Sequence, residues 1–312
     1  MKTQTYTKIN TLYKRYQNLK NVDLPKKEWI KFQNKIIMGS FTEPYFDYLF
    51  DCEWDCFSKI DGTNSKIVYL PSTGECYCGG KTDNADIIGT GQKAYLDEVI
   101  ERIKPILAEM FPPESAKFTP VLNDKQQIQY RFPEGGEKIA NVTADDIRNY
   151  GSLWGVDLEE VPVYIYGEFY GKKIQKGGNY DKEKNRFAVF DICQQGWYVP
   201  IDMLTEYCNK LELEMVPYIG VMSLNDAEAM VQEGFKTRVK DAANPDYLEE
   251  GIVARPVVPV KDSRGKRMIV KIKTCDYQEL QRTIDEVGLE SYNEFYDWYR
   301  EHQDEIENSS KK

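Results

Sequence analysis

The stretch Ser58-Lys59-Ile60-Asp61-Gly62-Thr63-Asn64 carries residue types suited to nucleophilic chemistry. A lysine stands two residues before an Asp-Gly pair, a strong turn signal because glycine accepts positive φ without steric penalty. The run Ser65-Lys66-Ile67-Val68-Tyr69-Leu70 that follows reads as a strand. Lys59 is therefore expected at a strand end, beside a tight turn, with its amine aimed into a fixed space. A lysine attacks only as the free amine, and an ordinary lysine titrates near ~10.4. A site that uses it must disfavour the ammonium form. A solvated hairpin lysine would have the same local sequence, so other residues must decide between the two.

Four further clusters are strand-like and carry chemistry. They are Tyr166-Gly167-Glu168-Phe169, Phe187-Ala188-Val189-Phe190-Asp191-Ile192, Glu249-Glu250-Gly251-Ile252-Val253-Ala254-Arg255-Pro256 and Ile269-Val270-Lys271-Ile272-Lys273. Side chains alternate along a strand, so Lys271 and Lys273 share one face while Phe187 and Phe190 face opposite ways.

In this order the clusters resemble the nucleotidyltransferase motifs of the covalent ligase and capping-enzyme superfamily. Lys59-Ile60-Asp61-Gly62 is similar to motif I, the Lys-x-Asp-Gly adenylylation site. Gly80-Lys81-Thr82 resembles the short motif after it, and Gly167-Glu168 resembles motif III. Phe187 to Ile192 resembles motif IIIa, Glu250-Gly251 motif IV and Lys271-Ile272-Lys273 motif V. Thr63-Asn64 and the run Glu250 to Pro256 look like RNA ligases of the phage RNA ligase 2 type. The arginine usual after Lys-x-Asp-Gly in DNA ligases and capping guanylyltransferases is missing. Only 39 residues follow Lys273, too few for the C-terminal OB domain of those enzymes, and fewer than the helical C-terminal domain often found in the RNA ligase 2 branch.

The resemblance implies an ATP-dependent RNA ligase that joins 5′-phosphate and 3′-OH RNA ends. Lys59 would attack the α-phosphorus of ATP, pass AMP to the RNA 5′-phosphate, and leave a 3′-OH to attack that activated end. Lys271 and Lys273 are the expected countercharges for the phosphates. Glu168, Glu250 and Asn64 are the expected contacts for Mg²⁺, or Mn²⁺ in its place, and for ribose or phosphate, with Glu249 as the rival of Glu250. Ile60, Asp61 and Gly62 would shape the nucleotide site, and Lys81 would reach a phosphate or sugar. Phe190 is expected to stack on adenine, with Phe187 as the rival. The alternatives are a DNA ligase or a capping guanylyltransferase on the same core, or a non-catalytic RNA-binding relative.

The whole chain is compatible with this reading. Of 312 residues, 41% are hydrophobic and 29% charged, which fits a globular protein. The absence of a long apolar run predicts no membrane association, and no protein partner is implied. The N-terminus has no apolar h-region, and the seven cysteines are an odd number, so reduced thiols in a cytoplasmic setting are expected, compatible with a phage- or virus-encoded enzyme acting in a host cytosol. The spacings Cys52-x₃-Cys56 and Cys76-x-Cys78 do not match common zinc patterns. The net charge of −10 conceals three basic clusters: nine Lys/Arg between Met1 and Ile36, six between Gly171 and Arg186, and six between Lys261 and Lys273. Phosphate binding needs local rather than global positive charge.

The expected fold class is α+β, an ATP-grasp-like nucleotidyltransferase core of antiparallel sheets with flanking helices. Residues 1–45 read as a basic N-terminal extension, helical around the stripe Ile9, Leu12, Tyr13 and Tyr16 up to Leu24-Pro25, with Trp29 to Met38 a short helix or a strand. Residues 46–275 read as the adenylylation domain. It contains a helix from Gln92 to Met110 that buries Tyr95, Val99, Ile103, Ile106, Leu107 and Met110. An irregular insertion is expected at about 112–158, with a helix from Ala144 to Tyr150 capped by Thr143. Strands are expected at Val161 to Phe169 and Arg186 to Ile192, joined by the basic loop Tyr170 to Asn185, and at Gly251 to Val260 and Arg267 to Lys273. Helices are expected at Asp202 to Leu211 and Leu224 to Gly234, the second capped by Ser223. Residues 276–312 read as a short helical tail with a disordered end from Asn308.

Overall fold

The computed structural model describes residues 6–81, 87, 91–120, 128–131, 137–140 and 158–309. The chain is mixed α+β, with mostly antiparallel sheets. It divides into two compact units that interleave in sequence. The first comprises Met1–Tyr6, Thr63–Tyr170 and Asn185–Met215, the second Thr7–Gly62, Gly171–Lys184 and Val216–Lys312.

In the first unit a six-stranded sheet runs Trp197–Tyr198, Asn185–Gln194, Val163–Gly171, Thr63–Leu70, Glu75–Gly80, with Glu214–Met215 added in parallel to Asn185–Gln194. These strands form where β-branched and aromatic residues concentrate, as in Val163-Tyr164-Ile165-Tyr166. The helix Gly91–Met110 covers the sheet with Gln92, Leu96, Val99, Ile100, Ile103 and Leu107. That face is rotated from the expected one. Leu96 and Ile100 take the buried positions, while Tyr95 lies partly exposed against the Phe169 ring at 5.6 Å and Ile106 and Met110 are half-exposed. Within the expected insertion, Lys117–Pro120 pairs with Leu158–Val161 and Ile128–Arg131 with Glu137–Ala140. The helix expected at residues 144–150 lies outside the described residues.

In the second unit a five-stranded sheet runs Asn10–Thr11, Val270–Lys273, Gly251–Pro256, Trp54–Ser58, Tyr218–Met222. All neighbours are antiparallel except the first pair. The helix expected around Ile9 to Tyr16 is absent. That segment forms the strands Asn10–Thr11 and Tyr13–Arg15, followed by short 3₁₀ turns at Leu19–Asn21 and Lys27–Phe32 and the strand Ile36–Phe41. The reason is tertiary. The edge of Val270–Lys273 and the partner strand Ile36–Phe41 supply the backbone bonds that a lone helix would make internally. Left-handed Asn18 (φ 60°) then turns the chain.

The helices Leu224–Glu233, Thr274–Val287 and Leu289–Asn308 close the core of this unit. The Ser223 hydroxyl accepts from Asp226 N at 3.0 Å, so the expected cap is present. Aromatic packing joins both ends of the chain. Phe32 stacks on Phe295 at 4.5 Å, and Tyr16 meets Phe295 and Tyr299 edge-on at 4.8 and 4.7 Å. The carboxylates of the last two helices bind the N-terminal cations, in the pairs Arg15–Asp276, Lys26–Glu294, Lys31–Glu286 and Lys35–Glu279. The described chain ends one residue beyond the last helix, and residues 310–312 lie outside it.

Candidate functional site

The lysine strand, Trp54–Ser58, is wholly buried and lies inside the second unit's sheet, between Gly251–Pro256 and Tyr218–Met222. Lys59 follows it directly and is held by its own backbone, whose N–H donates to Gly251 O at 2.9 Å. Gly251 is required at that crossing. Its φ is +151°, and a Cβ there would lie 2.0 Å from the Ile272 carbonyl oxygen. The three strand ends therefore converge, and the side chains follow. Lys59 Nζ donates to Glu250 Oε2 at 2.5 Å, and Lys273 Nζ donates to Glu250 Oε1 at 2.9 Å.

One carboxylate thus bridges two ammonium groups, all three partly buried. Burial alone would raise the Glu250 carboxyl. The two lysines outweigh it and hold the group below the ordinary carboxylate range. Lys273 is shifted upward: burial opposes the charge, but its bond to Glu250 dominates. Lys271 lies two residues earlier on the same strand face, opposite Val253 and Thr11.

Behind the lysine a second carboxylate does different work. Glu249 is buried (1% exposed), and its side chain accepts from Tyr180 Oη at 2.8 Å and Arg238 N at 3.3 Å. Burial raises its carboxyl despite these bonds. The Tyr180 hydroxyl also accepts from Asp61 N at 3.2 Å. The Asp61 carboxylate takes the backbone N–H of Lys176, yet burial and the nearby Glu250 charge raise it. The loop from Gly171 to Lys184 therefore grips the Lys59–Gly62 turn from one side. Ile60, 3% exposed, anchors the turn by packing.

The remaining expected residues belong to the first unit. Asn64 and Glu168 face each other in register across the strand pair Thr63–Leu70 and Val163–Gly171. Asn64 Oδ1 is buried with no hydrogen-bond partner among the described residues. An orphaned acceptor of this kind costs about 1–3 kcal/mol unless a donor or cation meets it. Hard oxygen donors from one amide and one carboxylate suit Mg²⁺ or Mn²⁺, which keep waters and phosphate oxygens as their other ligands. The residues present therefore fit such an ion. Phe187 is buried, with its ring against Gly167 so closely that a Cβ there would sit 2.4 Å from it. Phe190 is half-buried and meets Tyr6 edge-on at 5.0 Å. Lys81 is exposed just beyond Glu75–Gly80, and its neighbour Thr82 lies outside the described residues.

Three residues escaped the sequence reading. Glu249 appeared there only as a rival carboxylate. Tyr180 lay in an irregular loop, where a single tyrosine carries no pattern. Lys66 is 2% exposed in mid-strand, opposite Tyr166. Its only sequence signal was its spacing of two from Asn64.

The sequence profile of the RNA ligase family matches residues 53–273. No curated protein sequence matches the chain. Among solved structures the chain is similar to Naegleria gruberi RNA ligase with PPi, at 15% identity over 77% of this chain and 54% of that one, TM-score 0.45. It is also similar to a point variant of that enzyme with ATP and Mn (14% identity, 77% and 54%, TM-score 0.45) and to another with AMP and Mn (13%, 77% and 55%, TM-score 0.44). The chain spans about half the length of these structures. The family profile covers well over half of the chain and takes in Lys59, Glu250 and Lys273, so the chain belongs to the RNA ligase family.

Proposed function

We propose that the chain is an ATP-dependent RNA ligase whose nucleophile is Lys59. The observation that carries this reading is the Lys59–Glu250–Lys273 triplet at the convergence of three strand ends. Glu250 stores the lysine as a charged pair. Attack needs the free amine, so Lys59 must leave Glu250 and lose a proton before its Nζ bonds to the α-phosphorus of ATP and pyrophosphate departs. Lys273 stays beside the reacting lysine, and with Lys271 it offsets the negative charge of the phosphates. The AMP then passes to an RNA 5′-phosphate, and a 3′-OH displaces it to form the phosphodiester.

We assign divalent-cation contacts to Asn64 and Glu168 in the first unit, and separately to Glu250 in the second unit once it is released from the lysines. Bound there, such a cation supplies countercharge for the phosphates. Phe190 is our choice of base platform, because the Phe187 ring is committed to packing on Gly167. Lys81, exposed at its strand end, is free to reach a phosphate or sugar. All seven cysteines are free thiols, which supports action in a reducing cytosol.

Incubation with α-labelled ATP or GTP and Mg²⁺, followed by a denaturing gel, tests the reading. Label is expected from ATP alone, and none on Lys59→Ala. Label only from GTP would place the chain with guanylyltransferases, and no label from either nucleotide would favour a non-catalytic RNA-binding relative.

A further inference from the structure

The three basic clusters of the sequence have different fates. In the N-terminal cluster, Arg15, Lys26, Lys31 and Lys35 are paired with carboxylates of the acidic C-terminal helices, while Lys8, Lys14, Lys20 and Lys27 are exposed without an ion pair among the described residues but lie scattered along the segment. In the cluster from Lys261 to Lys273, Arg264 is held by Asp262 and Glu43, Lys266 by Glu43 and Lys273 by Glu250. The loop between Gly171 and Lys184 differs in gathering its unpaired lysines on one short element that also contacts the Lys59 turn. It presents Lys172, Lys173, Lys176, Lys182 and Lys184, all exposed, and among the described residues none of these five ammonium groups forms an ion pair. Two acidic residues, Asp181 and Glu183, share the loop, so its balance is positive.

The loop is also firmly built. Lys172 N donates to Lys184 O at 3.0 Å and closes its base. Gly177 packs on Gly171 so tightly that a Cβ would fall 2.6 Å from the backbone. Lys173 and Gln175 adopt left-handed φ of 61° and 47°, a conformation that side-chain-bearing residues adopt only where the surroundings enforce it. Tyr180 and the Lys176 backbone tie its underside to the Lys59 turn and to Glu249.

We propose that this loop is the docking surface for the phosphate backbone of the RNA strand that receives AMP, a reading that rests on the ligase assignment above. Four lysines without an ion pair, Lys172, Lys173, Lys182 and Lys184, beside Lys176, whose charge also acts on Asp61, give the loop a net positive electrostatic footprint suited to a polyanion, in which each phosphate met releases a counterion. The backbone holds the lysines apart and outward, and the same element fixes the nucleophile turn. Strand docking and nucleotide transfer are thereby brought to one place within the second unit.

The test replaces Lys172, Lys173, Lys182 and Lys184 with Gln, leaving Lys176 and its backbone contact in place. Binding of a 5′-phosphorylated single-stranded RNA is measured by fluorescence anisotropy across a salt series. The expected result is at least a tenfold weaker Kd at about 0.1 M salt and a log–log salt slope shallower by roughly 2–3, as for about 0.7 per phosphate contact on single strands. AMP-adduct formation from ATP alone should be unchanged. The control variant carries Gln at Lys26, Lys31 and Lys35 and should keep the wild-type slope.

An unchanged Kd and slope in the loop variant would overturn the proposal, as would an equal loss in the control. Competition by poly-glutamate as strong as by RNA of equal charge would assign the loop to an acidic polypeptide instead. A wild-type chain that takes no AMP but loses RNA binding in the loop variant would sink the ligase reading and leave the docking surface standing.

Discussion

Lys59 rests against Glu250, its Nζ 2.5 Å from Oε2, although the two are 191 residues apart in the chain. The contact has a pH signature. In the folded protein the Glu250 carboxyl titrates below its unfolded value because Lys59 and Lys273 outweigh the effect of burial. A lowered acid pKa stabilises the fold above the unfolded value, near ~4.3, and that contribution fades as pH falls through the lower folded value. Urea unfolding of the wild type and Glu250→Gln from pH 7 down to pH 3 should show the wild type losing more stability in the acid limb. Parallel curves would refute the assignment.

Lys271→Ala and Lys273→Ala should each reduce AMP-adduct formation by at least about a hundredfold, the size seen when one preorganised countercharge is removed. Single-turnover labelling at saturating ATP measures this. A Lys273→Ala rate within threefold of wild type would mean that Lys273 only restrains Glu250.

Tyr180→Phe removes one hydroxyl that serves two partners, Asp61 N and Glu249. The ring stays packed against Tyr247, so the fold should survive. With Asp61 N and Glu249 no longer tied together, the Lys59–Gly62 turn loses a restraint, and such misplacement should slow the adduct step by about ten- to a hundredfold, with the KM for ATP little changed. A raised KM with an intact rate would mean that the tyrosine shapes nucleotide binding rather than the lysine turn.

Phe187→Ala and Phe190→Ala should separate packing from binding. The first empties a buried site and should lower stability by about 3–5 kcal/mol. The second should cost far less stability and raise the KM for ATP. Thermal melts and ATP titrations in parallel decide this, and the reverse pattern would make Phe187 the base platform.

Charge reversal of Lys26, Lys31 and Lys35 should act on the fold rather than on the adduct. Their partners Glu294, Glu286 and Glu279 lie on the C-terminal helices of the same unit. Exposed pairs are weak and screened by salt, so the triple variant should be modestly less stable than the wild type, and only at low salt. Urea melts at two salt concentrations measure this. Unchanged stability would show the pairs to be energetically silent.

Much of the candidate site's geometry was legible in the sequence because its elements are local. Lys59-Ile60-Asp61-Gly62 specifies a strand end and a turn, and Lys271-Ile272-Lys273 places two cations on one face by alternation alone. The strands Val163–Gly171 and Asn185–Gln194 were visible in their β-branched and aromatic runs. Three things required tertiary structure. The stripe Ile9, Leu12, Tyr13 and Tyr16 suits either a helix or strands, and the free edge of Val270–Lys273 decided for strands by offering backbone partners. Glu249 and Glu250 are indistinguishable by residue type, and alternation says only that they point opposite ways; the folded chain places Glu250 at the lysines and Glu249 at Tyr180. The basic clusters look alike in composition. Which lysines remain available to a polyanion depends on where distant carboxylates pack, and side-chain pairing of that kind is fixed only by the folded chain.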